Sequence, residues 1–172
     1  MESDDTKPSD ALADWVDDPV EGQRYAWIQH LTHNMDKYGF TRDEQKNIYW
    51  SIMAESGGKM DSQEKGGGSG HGLIQLSGDA NKKLYSKKIS KVLGRPVDMF
   101  DPKQASAIDV QAELVPMYFK DRDLGKGYTD FSQVHRAIAP RDRNPQHRID
   151  WLNKQKIRPP EDTDFMIHTL AQ

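Results

Sequence analysis

A glutamate and a concentration of glycines lie close together in the first half of the sequence. Eight of the 13 glycines lie between Gly57 and Gly78, and Glu55 comes just before them. A carboxyl group can give its proton to a leaving oxygen, and backbone without Cβ atoms can approach a sugar ring closely. Together these residue types indicate a carbohydrate cleft with an acid at its lip, the arrangement that cleavage of a glycosidic bond requires.

The helix that must carry Glu55 can be predicted from apolar spacing. Thr41, with Glu44 three residues later, is a capping-box signature. At about 100° per residue, Glu55 lies about 20° from Ile48 and about 60° from Ile52, at the edge of the buried stripe. Burial and the helix dipole both disfavour the carboxylate, so we expect a raised pKa. The alternative is an ordinary exposed glutamate at a helix end.

The glycine-rich stretch does not match a nucleotide-binding loop. Gly67 and Gly72 have the P-loop spacing, but Leu73-Ile74 follows where Lys and Ser/Thr are needed. A dinucleotide-binding loop needs a strand before its glycines and a helix after them. Here a helix precedes, and the apolar run 73–76 predicts a strand or a buried extended segment. A flexible linker explains residues 66–70 but not this run.

The remaining apolar spacing predicts a small, mainly α-helical domain. Further helices are predicted from Gln23 to Gly39, over 81–93, over about 131–138 and from Asn144-Pro145. Another is predicted to begin at Asp101-Pro102, with Gln104 in a capping box and a kink or shortening at Pro116. In the helix over 81–93 the residues expected to face the core are Leu84, Tyr85, Ile89, Val92 and Leu93. We expect an acidic flexible segment over 1–22, the domain over 23–158 and a tail of undetermined structure over 159–172.

Composition excludes several classes of protein. The 172 residues are enough for one domain, and a formal net charge of −3 argues against a nucleic-acid binder. Cysteine is absent, which excludes disulfides, thiolate metal sites and a thiol nucleophile. The opening residues 1–5 lack the features of a signal peptide, and no run of 18 apolar residues predicts a membrane span. We therefore expect synthesis in the cytoplasm and no membrane insertion.

Two motifs resemble those of a known family. Met53-Ala54-Glu55-Ser56-Gly57-Gly58 resembles the "H-E-[TS]-G-G" segment of family-nineteen chitinases and their phage endolysin relatives. Gly70-His71-Gly72-Leu73-Ile74-Gln75-Leu76-Ser77-Gly78 is similar to that family's "G-R-G-x-I-Q-L-[ST]-G" segment. Phage tail lysozymes carry a similar "A-E-S-G…G-x-G-L-x-Q-W" pairing. The resemblance covers roughly residues 40–155 and extends to the lysozyme-like superfamily.

The resemblance implies a lysozyme-like fold with a short glycine-rich loop or β-hairpin beside the active-site cleft. It makes Glu55 the general acid and places a second carboxylate before Gly70. Glu64 is preferred there over Asp61. Gln75 is implied as a substrate contact, and the weaker candidates are Ser56, His71, Ser77 and Asn81.

The implied activity is hydrolysis of β-1,4 glycan bonds in bacterial peptidoglycan, by a muramidase or glucosaminidase-type endolysin or by a virion-associated lysozyme. Chitin fits less well, because the loop before Gly70 is short and His71 replaces the family's arginine. The alternatives are a lytic transglycosylase and a non-catalytic phage structural protein that binds glycan. We expect a monomer that needs no cofactor or metal. It is expected to reach the periplasm or cell wall either as part of a virion or by a holin-dependent route.

Other charged groups have two interpretations each. His30 and His33 are three residues apart on one helix, but no third ligand accompanies them, so no metal site is predicted. A basic run over 82–95 either attracts an anionic wall polymer or is a solvated helix face. The far wall of the cleft is predicted to contain His135, Arg136, Arg141, Arg143 and Arg148, with surface charge as the alternative.

Overall fold

The computed structural model describes residues 19–58, 70–123, 127–140, 142 and 144–165. Its helices are α1 (Pro19–Lys37), α2 (Arg42–Ser56), α3 (Asp79–Leu93), α4 (Pro102–Ala105), α5 (Ile108–Arg122), α6 (Phe131–Ile138) and α7 (Gln146–Lys154). Within these ranges the β pairing is limited to one isolated antiparallel bridge between His71 and Leu76. The prediction of a mainly α-helical fold is confirmed. None of the described helices has both the length and the apolar character needed to cross a bilayer.

Helix α5 runs through the middle of the core. Every residue from Val110 to Phe119 is buried, because apolar side chains occur on all sides of this helix rather than along one stripe. Helix α1 packs along it, and α3 and α4 contact it as well. The other major packing is around α2, which contacts α1, α6 and α7.

Pro116 is predicted to kink or shorten its helix, yet α5 continues to Arg122. Proline has no N–H, so the carbonyl of Ala112, four residues earlier, loses its helical partner. Asn34 of α1 replaces that partner, since its Nδ2 donates to Ala112 O at 3.0 Å. The helix therefore tolerates its proline because a neighbouring helix satisfies the free carbonyl.

The single helix predicted from Asp101-Pro102 is in fact two helices, α4 and α5. Asp101 caps α4 as predicted, because its Oδ1 accepts a hydrogen bond from Lys103 N at 3.0 Å. The predicted capping box does not form. Gln104 Oε1 instead accepts from the backbone N–H of Asp98 at 3.0 Å, which holds the preceding turn.

Helix α3 buries a narrower face than its apolar residues suggest. Tyr85 and Ile89 are fully buried, but Leu84 is 45% exposed and Val92 is 52% exposed, so the prediction that both face the core is wrong. Positions 84 and 85 differ by about 100° around the helix, and only one side of α3 lies on α5. Lys82 is buried instead.

Residues 72–75 form a turn rather than the predicted strand or extended segment. Gly72 has φ 87° and Gln75 has φ 53°. These left-handed conformations reverse the chain, which an apolar pattern alone does not reveal. The apolar side chains of the segment are nevertheless buried: Leu73, Ile74 and Leu76.

A buried glutamine of α5 holds this turn in place. Gln111 Oε1 accepts from Leu73 N at 3.0 Å, and Gln111 Nε2 donates to Ala105 O at 2.6 Å. A Cβ atom added at Gly72 would lie 2.8 Å from Gln111 Nε2. The amide group is bonded at both ends, so it cannot move away, and only glycine fits at position 72.

The segment after α7 returns to the core, in a region for which the sequence predicts no definite structure. Both terminal nitrogens of Arg158 donate to Asp164, each at 2.9 Å. The next residue, Phe165, stacks on Tyr49 of α2 with ring centroids 5.6 Å apart. This part of the chain therefore packs against α2.

Replacing Gly72 by alanine tests the close approach of the turn to α5. Gly39 is the matched control, because its φ of 85° is similar but no atom lies within 4 Å of its added Cβ. Both variants should lose about 1–2 kcal/mol of unfolding free energy through the left-handed backbone. Gly72→Ala should lose about 1–3 kcal/mol more through the clash. Urea unfolding measures the difference, and equal losses would show that Gln111 does not restrict the turn.

Candidate functional site

Glu55 is positioned by a helix that is fixed at both ends. The capping box predicted for α2 is confirmed: Thr41 Oγ1 accepts from Glu44 N at 3.2 Å, and Thr41 N donates to Glu44 Oε1 at 2.9 Å. At the other end Gly57 adopts φ 66°, and its N–H donates to Met53 O at 3.0 Å. The last turn, which carries Glu55, therefore has a defined position and direction.

The carboxyl group of Glu55 faces inward, toward α7. Its side chain is only 10% exposed, and Nη2 of Arg148 lies 3.2 Å from its Oε1. Arg148 Nη1 also donates to Ala54 O at 3.4 Å, so this arginine fastens α7 to the end of α2. Glu55 Oε1 is buried without a hydrogen bond. Its contact with Arg148 is therefore an ion pair without an aligned donor.

Burial raises the pKa of Glu55, and this effect outweighs the lowering by the charges of Arg148 and His135. The carboxylate would lose its hydration inside the protein, and one guanidinium that does not align a hydrogen bond compensates for only part of that loss. The direction is the one that the helical wheel predicts. Glu55 can therefore keep a proton at a pH where an ordinary glutamate is ionised.

Two histidines and an aspartate form a cluster whose charges act on Glu55. His135 of α6 is buried, Asp142 lies in the connection to α7, and His147 lies in the first turn of α7. One ligand-type atom from each residue lies within 4.8 Å of the other two. A hydrogen bond with His147 is the largest cause that lowers the pKa of Asp142.

Sequence reasoning missed most of this cluster. It places His135 only in the wall of a cleft, and it does not single out Asp142 or His147. The spacing H-x6-D-x4-H across a predicted helix–turn–helix was a usable signal. This spacing indicates a cluster only when α6 and α7 are known to bring the three side chains together.

A separate cavity of about 690 Å³ lies on the other side of α6, and Glu55 is not part of its lining. Its charged lining residues are Asp121, Arg122, Asp123 and Arg136. Tyr118 lies between the two regions, because its hydroxyl donates to Ala137 O at 3.1 Å. Burial raises the pKa of Tyr118, and the charge of Glu55 adds to that rise.

Two of the predicted substrate contacts lie in the turn after the glycine-rich stretch. His71 is buried, and burial, followed by the charge of Lys82, lowers its pKa. Gln75 is partly buried, and its Nε2 donates to the carbonyl of Gly72 at 2.8 Å. Its amide group therefore supports the turn in this structure.

The other predicted contacts form local hydrogen bonds. Ser56 Oγ donates to Ile52 O at 3.0 Å and accepts from Gly58 N at 3.3 Å, so it stabilises the end of α2 beside Glu55. Ser77 is exposed, and Asn81 Nδ2 donates to its carbonyl at 3.2 Å. This bond joins the turn segment to the start of α3.

The candidates for the second carboxylate, Glu64 and Asp61, fall within residues 59–69, outside the described residues. Arg141 and Arg143 also lie outside them. The structure thus places Ser56 beside Glu55 and gathers the remaining predicted contacts in the turn and the start of α3. Arg148, which the sequence predicts in the cleft wall, is the closest charged partner of Glu55.

The basic run on α3 is not one uniform charged face. Lys82 is buried. Lys88 Nζ lies 2.8 Å from Asp121, and Arg95 Nη1 lies 2.8 Å from Asp109. Part of the positive charge is therefore matched by acids of α5, which weakens the case for long-range attraction of an anionic polymer.

Comparison of this chain with protein-family models, with curated proteins and with solved structures finds no significant match. The geometry of the site and the two motifs are therefore the basis for proposing a function.

The raised pKa of Glu55 predicts a pH-dependent difference in stability between the wild type and Glu55→Gln. The protonated form of Glu55 is favoured in the folded state, so its contribution is complete below the ordinary value of 4.5 and is lost as the pH rises through the raised value. The wild type should therefore lose unfolding free energy relative to the glutamine variant as the pH rises above the ordinary value of 4.5. Urea unfolding at several pH values measures this difference. Ser56→Ala retains the carboxyl group and should retain the dependence, whereas parallel pH profiles for the wild type and Glu55→Gln would contradict the assignment.

Proposed function

We propose that this chain is a glycoside hydrolase that cleaves the β-1,4 glycan strand of bacterial peptidoglycan through a lysozyme-like domain. Glu55 is the general acid that protonates the leaving glycosidic oxygen. The glycines of the second motif, Gly70, Gly72 and Gly78, contribute to the floor and lip of the cleft. The substrate is a neutral sugar polymer with N-acetyl groups, which backbone and amide groups can bind without strong charge.

The observation that carries this proposal is the environment of Glu55. Its carboxyl group is nearly buried, one oxygen has no hydrogen bond, and burial raises its pKa. A carboxyl group with a raised pKa keeps its proton to a higher pH than an ordinary glutamate, which suits proton donation to a glycosidic oxygen. An ion pair with Arg148 alone would favour the charged form, so burial is what raises the pKa of Glu55.

The turn over residues 72–75 gives a second line of support. Gln111 holds it against α5, so the chain after the glycine-rich stretch is anchored on the most buried helix. A cleft needs a rigid wall to orient its substrate. The resemblance of the two motifs to those of phage endolysins supports the proposal that this turn forms one wall of the cleft beside Glu55.

Replacing Glu55 by glutamine should reduce clearing of purified peptidoglycan by about 10²–10⁴-fold, the usual contribution of a general acid. Zymography and turbidity loss measure it. The wild-type rate should also fall as the pH rises through the Glu55 pKa, because the deprotonated group cannot donate.

Glu113→Gln is the matched control for loss of a buried carboxyl group. Glu113 is 9% exposed and accepts from Asn34 Nδ2 at 3.2 Å, and a glutamine keeps that acceptor. This variant should keep wild-type activity. Equal clearing by the wild type and Glu55→Gln would contradict the role of Glu55, and an inert wild type would favour a non-catalytic glycan-binding protein.

Glu64→Gln separates hydrolysis from transglycosylation, since a lytic transglycosylase needs no water-activating base. A hydrolase should lose most of its activity, and Asp61→Asn serves as the companion variant for the other candidate. Mass spectrometry of the digested wall reports the bond cut and the end chemistry. Anhydro-sugar ends with retained activity in Glu64→Gln would identify the transglycosylase.

A further inference from the structure

The His135, Asp142 and His147 side chains converge within one helix–turn–helix. Their ligand-type atoms lie within 4.8 Å of one another, a spread that a modest side-chain adjustment brings to the spacing of ligands around one ion. His135 is 1% exposed, Asp142 is 29% exposed and His147 is 51% exposed. The cluster is therefore anchored in the core and reachable from solvent.

The buried Nε2 of His135 contacts Asp142 at ion-pair distance but without hydrogen-bond geometry. This nitrogen lies 3.0 Å from Asp142 Oδ2 and forms no hydrogen bond. The same oxygen of Asp142 is also bonded to Nε2 of His147. A buried polar atom without a hydrogen bond costs free energy, and a ligand that joins all three side chains would remove that cost.

The three side chains are oriented by contacts of their own. Asp142 Oδ1 accepts from Asn144 N at 3.0 Å, which turns Oδ2 toward the histidines. The His135 ring stacks on Phe131, with centroids 6.1 Å apart and planes at 12°. Such outer contacts are what fix metal ligands before an ion binds.

We propose that His135, Asp142 and His147 bind a divalent transition-metal ion of the Zn²⁺ class, with one coordination position open to solvent. Two imidazole nitrogens and one carboxylate oxygen are a donor set that Zn²⁺ accepts readily. Ca²⁺ and Mg²⁺ prefer six or more oxygen ligands, which this cluster does not provide. Arg148, which follows His147 in the chain, is directed at Glu55 rather than at this cluster.

Three protein ligands and an open position are the arrangement of catalytic rather than structural zinc sites. The ion would bind a water molecule or an anionic or carbonyl oxygen of a ligand at that position. It would also fasten α6 to α7. This inference concerns metal binding alone and does not depend on glycan cleavage.

The test uses the full chain, purified without a polyhistidine tag and stripped with a chelator. Calorimetry with Zn²⁺ should give one site per chain, and Co²⁺ should produce visible absorption bands of a low-coordinate site. His147→Ala should weaken binding by more than the roughly 10–100-fold typical of changes to outer contacts, and Asp142→Asn should weaken it as well. Because His147 is half exposed, its variant should still fold, which circular dichroism verifies.

His33→Ala is the matched control, because His30 and His33 are an exposed pair on α1 and should not contribute. Absence of Zn²⁺ binding by the wild type would overturn the proposal, and the cluster would then be an ion-pair network. Binding that survives His147→Ala, or is lost in His33→Ala, would also overturn it. Because the readout is metal binding, failure of the peptidoglycan assay leaves this result unaffected.

Discussion

The burial of the Glu55 carboxyl group is the constraint on which the site depends. It outweighs the attraction of Arg148 at 3.2 Å, so the pKa of the group is raised above its ordinary value. The raised pKa of Glu55 depends on two features of the fold. Helix α2 ends at Gly57, and α6 and α7 pack against α2. If α7 moved away, water would reach the carboxyl group and its pKa would return toward the ordinary value.

Local signals were sufficient to predict α2 and the position of Glu55 on it. A capping box, apolar spacing and a left-handed glycine define α2 from its own sequence, so the edge position of Glu55 follows from helical geometry. Tertiary contacts explain the errors. Pro116 stays within a helix because Asn34, 82 positions earlier, satisfies the carbonyl of Ala112. Leu84 is exposed because only one side of α3 meets α5.

The parts of the site that the sequence did not predict are assembled from different elements. Gln111 reaches the turn at Gly72 and Leu73 from a helix almost 40 positions later, and no periodicity encodes that contact. The cluster of His135, Asp142 and His147 depends on the angle between α6 and α7, which turn chemistry alone does not determine. The charged groups around Glu55 therefore come from α6, from the connection after it and from α7. Their combined effect on the pKa of Glu55 depends on how these elements pack together.

The most direct measurement of the central claim is the titration of Glu55 itself. NMR of the side-chain carboxyl carbon in ¹³C-labelled protein reports its protonation, and Glu55→Gln assigns the signal. Burial of the carboxyl group should place the midpoint clearly above the ordinary glutamate value of 4.5. A midpoint at or below that value would mean that the ion pair with Arg148 outweighs burial, and Glu55 could not then serve as the acid.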